Sequence, residues 1–537
     1  MTESTPSTTR RMGRLFTWRR LTLSLVWLLT VVVAVRGWGF VVQKRIPILR
    51  RLGLLEKTGI MQTNLYVVGF QRVPVAIDGR YGAIAPLANG VLFSARSGRL
   101  WFVDSTRTPR ELALRIPINV EEFEADPYNA RTVNPDHFAV KGMMTQVTPN
   151  GVRLFASHNQ WNGRDKCYTL RVSMIELPVD SMLAGASGQW KTLFDSRPCM
   201  ELGLLASGEH MPTIGAGGRM IPLSDHEILL TVGVFIADAK TTTEPKWITS
   251  LDNDYGKTIA IDLVSGRARI FSKGHRNPQG LAIGPDSSIW ETEHAAKGGD
   301  ELNLLRDGLD YGFPYVSYGT DYGRLDWPLS DTPGRHEGFE KPLFAWVPSI
   351  ATSQLVVVSG KAFEHWRGDL LVSSLAARSV FRVRVEEGRV RFVEPMQMIH
   401  RMRDIIETSR GEIAILAEDG FLVYLQPVDA KADNPGLSAR DRGQIVAGQC
   451  QGCHSFEKGG PDGIGPNLFG IVGRGIASTS FAYSAGLRAV SGSWTDEQIR
   501  KYVKDPAAFA PGTPMVVPVP LSDRELDDLA TYLRSLK

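Results

Sequence analysis

The chain has 537 residues, 43% of them hydrophobic and 22% charged, enough for more than one globular core and too apolar for global disorder. Its net charge of +4 is small, and much of it comes from Arg10, Arg11, Arg14, Arg19 and Arg20, so no basic face for nucleic acid is expected. Beyond this Arg-rich tail (1–20), LTLSLVWLLTVVVAV runs uncharged from Leu21 to Val35, and apolar character resumes past Arg36 as GWGFVV. The pattern predicts a helix over 21–42 that can cross the roughly 30 Å hydrocarbon core of a bilayer. With no small-x-small site after it, the segment reads as a single-pass membrane anchor or an uncleaved signal. Basic residues flank it on both sides and leave its orientation open.

Between the anchor and the C-terminal third one phrase recurs: an apolar strand, a short polar turn, then a second apolar strand. It occurs as AIAPLANGVLFSA (83–95), TQVTPNGVRLFAS (145–157), MIPLSDHEILLTV (220–232), LAIGPDSSIWETE (281–293), AFEHWRGDLLVSS (362–374) and DIIETSRGEIAIL (404–416). Hairpins repeated at about sixty residues predict radially arranged antiparallel sheets, and the fold class expected over 75–425 is an all-β six-bladed propeller. Such a ring is a scaffold, and its function must be argued from its loops.

Two long stretches, GHRNPQGLAIGPDSSIWETEHAAKGGDELNLLRDGLDYGFP (274–314) and WVPSIATSQLVVVSGKAFEHWRGDLLVSSLAARSVFRVRV (346–385), are followed by HRMRDI (400–405). Together they closely resemble the PQQ-dependent soluble aldose sugar dehydrogenases, a family of six-bladed propellers. The resemblance implies that Arg276 and Asn277 of RNPQG, with Arg401 and Arg403 of RMRD, meet PQQ. That cofactor is a planar tricarboxylate, which guanidiniums suit through charge-assisted, bidentate bonds. The resemblance also implies calcium held by backbone carbonyls of TEHAA, at His294, Ala295 and Ala296, although the family's Gly and Pro are missing there. Finally it implies a histidine just before GGR, acting as general base toward the substrate hydroxyl. In this chain that position is Gly215, and the candidate base is His210, five residues upstream in GEHMPT. Two more family positions differ: a lysine near the cofactor aligns with Ala376, close to Arg378, and a glutamine aligns with Val140, next to Lys141.

Near the C-terminus Cys450, Cys453 and His454 form CxxCH. This spacing presents two thiols about one turn apart for the haem vinyl groups and places an imidazole beneath the iron. A redox dithiol or half a zinc site would need a context that is absent. After His454 there is no further His and a single Met, Met515, which makes it the second axial ligand. GIGPNLFGIVGR (463–474), WTDEQIRKYVKDP (494–506) and SDRELDDLATYLRSL (522–536) resemble class I cytochrome c, an all-α domain expected over 438–537. The resemblance implies Pro466 against His454, Met515 approaching from the other side, and the last helix crossing the one that carries CxxCH. Ser522 with Glu525 predicts a capping box, and 426–437 has linker composition.

Covalent haem attachment takes place outside the cytoplasm. The expected topology is therefore a tail inside the bacterial inner membrane with the propeller and one haem c in the periplasm. There Cys167 and Cys199 are expected to form a disulfide, two buried free thiols being the alternative. Two functions fit. One is a quinohaemoprotein that oxidises a sugar or alcohol at PQQ and passes electrons through haem c to a soluble cytochrome or terminal oxidase. The other is an anchored cytochrome whose propeller is a docking module without dehydrogenase activity.

Overall fold

Five of the six hairpin phrases fold as the two innermost strands of a blade. The computed structural model describes residues 57–127, 129, 135–186, 188–201, 214–235, 248–320, 332, 334–428 and 437–537. Among these, six antiparallel sheets are formed, four of four strands and two of five. The inner strands Gly82–Leu87, Val140–Thr148, Gly217–Pro222, Pro278–Ile283, Thr352–Val357 and Met402–Glu407 lie side by side in chain order, and the last returns to the first. Strands such as Gly90–Ala95, buried at every position, explain why this part of the sequence reads as continuous apolar runs.

The fifth hairpin departs from expectation. Within AFEHW the chain makes a 3₁₀ turn, Glu364–Trp366, in which Phe363 and Trp366 stack with centroids 4.5 Å apart. The inner strand of that blade is instead Thr352–Val357, and only Leu370–Ser374 is shared with the phrase. The ring also begins before residue 75. Thr58–Gln62 and Val67–Pro74 complete the sixth blade, the latter pairing with Phe421–Val428 from Val67↔Val428 to Pro74↔Phe421. The last propeller strand thus extends into the segment with linker composition.

Cys167 and Cys199 are bonded, with Cα atoms 5.6 Å apart and a separation of 32 residues. Closing a loop of this length contributes about 3–4 kcal/mol. Reductant, or Cys199→Ala, should lower the thermal unfolding midpoint of the propeller by several degrees; an unchanged midpoint would show that the loop gains nothing from the bond.

In the C-terminal domain Ser438 caps the helix Ala439–Ala447, and the Ser522–Glu525 capping box opens the helix Asp523–Ser535. These helices cross at Gly443, where a Cβ would fall 1.9 Å from the Asp528 carbonyl oxygen, so only glycine permits the approach. Arg442 grips the Asp528 carboxylate with two bonds of 2.7 and 2.8 Å. The domain touches the propeller where Gln62 Nε2 donates to the Ile445 carbonyl at 3.3 Å. No helix among the described residues is long and apolar enough to cross a membrane, and the predicted span 21–42 lies outside them.

Candidate active site and haem attachment site

Where the inner strands begin, side chains from several blades meet. Arg276 and Asn277 precede Pro278–Ile283 and are both buried. The Arg276 N–H bonds the Glu293 carboxylate, and its Nη1 donates to the His294 carbonyl at 2.9 Å. His294 N in turn donates to the Asn277 carbonyl at 3.0 Å, which locks RNPQG to the start of TEHAA. Behind this lock lies a buried polar cluster in which donor atoms of His275, Glu291 and Glu293 are within 4.8 Å of one another.

Arg401 and Arg403 flank the first residue of Met402–Glu407 and both reach Glu418, Arg401 Nε at 2.7 Å. Burial pushes the Glu418 carboxyl up, but the two guanidiniums outweigh it and hold the group below the usual carboxylate range. Arg403 Nε is buried and has no hydrogen-bond partner. The guanidinium lies 4.3 Å over the Tyr81 ring, and Lys141 Nζ lies 4.1 Å over the same ring. Burial, then repulsion from Arg403, lowers the Lys141 ammonium well below its ordinary value. His294 is pushed down to about 4, first by burial and, against the attraction of Asp300, by Arg276, Arg403 and Arg401. The arginines of RNPQG and RMRD therefore converge on one imidazole.

Arg219 of GGR explains part of this arrangement. It bridges three inner strands, with Nη1 2.8 Å from Asp404, Nη2 donating to the Arg403 carbonyl at 2.9 Å and Nε to the Gln279 carbonyl at 2.9 Å. The arginine is a positioning residue that ties RMRD to RNPQG. Gly215, four residues earlier, has φ +72. A histidine there would occupy a left-handed conformation that costs about 1–2 kcal/mol, so the backbone as well as the side chain departs from a base at this position. His210 lies outside the described residues.

These residues fit a planar polyanion, and the orphaned Arg403 Nε is the observation that tests the fit. They fit calcium poorly: the His294 carbonyl already accepts from the Arg276 guanidinium, and a dication would sit against that charge. The Ala295 N–H bonds Asp300 Oδ1 at 3.0 Å, which fixes the following turn.

At CxxCH both thiols are unpaired. His454 N donates to the Cys450 carbonyl at 3.0 Å, and the ring Nδ1 is bonded to the Pro466 carbonyl at 2.7 Å. That bond commits Nδ1 as the donor and leaves Nε2 free to ligate, the arrangement a proximal histidine would need. Gly465 lies against the ring, where a Cβ would fall 2.3 Å from Cε1. Met515 lies in the loop before Asp523–Ser535, its N–H 3.4 Å from Thr513 Oγ1. The residues fit a covalent haem.

Fold and site together define a six-bladed propeller joined to a c-type cytochrome domain. The chain belongs to the glucose/sorbosone dehydrogenase family, whose model matches residues 154–423, and a cytochrome c model matches residues 441–537. It is similar to the aldose sugar dehydrogenase of Escherichia coli, 32% identical over 171 residues, which cover 30% of this chain and 44% of that one. A cytochrome c homolog of Bradyrhizobium diazoefficiens is 32% identical over 169 residues, covering 31% and 83%. The crystal structure of the soluble E. coli aldose sugar dehydrogenase in its apo-form superposes with a TM-score of 0.54 at 22% identity, covering 67% and 99%, and shows the shared fold. The chain spans only 39% and 44% of two of its curated relatives.

Proposed function

We propose that this chain is a quinohaemoprotein dehydrogenase that oxidises a sugar or alcohol at PQQ and passes the electrons singly through one haem c. The observation that carries the reading is the buried Arg403 guanidinium, which retains an unused donor although Glu418 is already shared. Lys141, Arg276 and Arg401 stand around the same place, so the site carries more positive charge than Glu418 offsets. PQQ, when bound, supplies a two-electron acceptor for hydride. Arg276, Asn277, Arg401 and Arg403 would hold its carboxylates, and Lys141, over the Tyr81 ring that also carries Arg403, would add a further cation. His454 and Met515 would ligate the iron. Fusion keeps the haem near the site at high effective concentration, without a diffusional search. The same reading puts the chain at the bacterial inner membrane, anchored through 21–42, with both domains in the periplasm and a soluble cytochrome or terminal oxidase as the next acceptor.

One feature favours the docking-module reading: Glu418 already takes both arginines of RMRD. A single experiment separates the two. PQQ, with and without calcium, is added to the haem-loaded protein, followed by aldoses and alcohols, and the haem absorption is followed. Reduction by at least one donor is expected only when PQQ is present; no reduction by any donor would sink the dehydrogenase.

A further inference from the structure

Removing hydride from a carbinol carbon requires a base for the hydroxyl proton, and Gly215 offers none. The sequence contains ten histidines. His158, His275 and His400 have both ring nitrogens hydrogen-bonded inside the blades. His336 is buried against the Tyr311 carbonyl, His226 and His365 are exposed away from the arginines, and His454 belongs to CxxCH. Among the described residues this leaves His294, half-buried in the field of three arginines, and His137.

His137 ends the turn Pro135–His137, just before the inner strand Val140–Thr148. It is half-buried, and its ring meets Tyr81 edge to face at 6.1 Å between centroids. Its carbonyl accepts from Lys141 Nζ at 2.7 Å. The same Tyr81 ring carries the Arg403 guanidinium on its face, so His137 is one aromatic ring away from the anion clamp. Its ring nitrogens have no hydrogen-bond partner among the described residues, which leaves a nitrogen available to a ligand.

We infer that His137, from the preceding blade, is the general base of this site in place of the histidine that Gly215 lacks. The inference rests on the function proposed above. An imidazole nitrogen of His137 accepts the hydroxyl proton of the donor while the carbon-bound hydrogen leaves as hydride, with both electrons, to the quinone. The C–O single bond becomes C=O, giving a lactone from an aldose, and the imidazolium releases its proton to solvent.

The surroundings give this base a dependence on the cofactor. The groups that act on the His137 ring are Lys141, Arg80, Arg403 and Glu418, with Tyr81 in contact. Burial first, then the three cations, push it down to about 4, so it is neutral above that pH. An anion on Arg403 and Lys141 cancels part of this repulsion and raises its basicity toward working pH. PQQ binding should therefore take up a proton at His137, and affinity should rise as pH falls from 7 toward 4.

The test compares haem-loaded wild type with H137N and H137Q, each first shown to unfold at the wild-type temperature. Tryptophan-fluorescence titration with PQQ from pH 4 to 7.5 is expected to give all three similar affinity at pH 7.5, with a shallower rise toward low pH in both variants. Donor-driven haem reduction in PQQ-loaded protein should slow by about 10²- to 10⁴-fold in the variants. A variant that reduces haem within tenfold of wild type, or that keeps the wild-type pH dependence of PQQ affinity, overturns the role of His137 alone. Failure of the wild type to bind PQQ, or to reduce its haem with any donor, overturns the dehydrogenase reading and His137 with it.

Discussion

Replacing Arg403 with methionine should weaken PQQ binding roughly 10²- to 10³-fold, equivalent to about 3–4 kcal/mol, because breaking a buried charge contact costs that much. Two effects add. The buried donors that meet a carboxylate are lost, and Glu418 keeps only Arg401, leaving a less compensated carboxylate beside an incoming anion. Glu418→Gln should act in the opposite direction: it frees both guanidiniums and tightens PQQ, at some cost to the fold. Fluorescence titration of the two variants measures both signs. Binding by Arg403→Met within fivefold of wild type would mean that the RMRD arginines serve the blade and not a ligand.

The second large effect is expected at Gly465→Ala. The new methyl would fall 2.3 Å from His454 Cε1, 2.7 Å from Nδ1 and 2.8 Å from Nε2, closer than any side chain tolerates. The imidazole must swing away and give up its bond to the Pro466 carbonyl, so iron loses its oriented axial ligand. Cys450 and Cys453 are untouched, so haem should remain covalently attached while its absorption changes from low-spin to high-spin. An unaltered low-spin spectrum would show that the loop from 463 to 466 yields instead. PQQ affinity, set in the other domain, should not change.

The propeller was legible because five hairpins are local: each pairs residues a few positions apart, and their burial leaves an uninterrupted apolar record. AFEHW misled because Phe363 and Trp366 are as apolar as strand residues, yet they stack on each other in a single turn. Val67–Pro74 was missed because its partner lies at the far end of the domain, and no local pattern announces a distant pairing. Arg276, Asn277, Arg401 and Arg403 were legible from their phrases, as were Cys450, Cys453, His454 and the Ser522 cap. Tyr81, His137 and Arg219 were not, because only the packing of blades against one another brings them to the clamp. Glu418 was not either: it lies beside RMRD through the local pairing Met402↔Ala417, but a carboxylate at a strand end carries no mark of its partner. Lys141 left a faint signal, a lone cation among the apolar neighbours of AVKGMM.

The pairing of Val67–Pro74 with Phe421–Val428 also governs the order of events during biogenesis. At roughly 5–20 residues per second, the ribosome needs on the order of 20–70 s to make the roughly 350 residues between the two partners. Throughout that interval the first strand must be kept from pairing with other edges. CxxCH follows only a few seconds after the closing strand, so the residues that close the propeller and those that take haem leave the ribosome almost together.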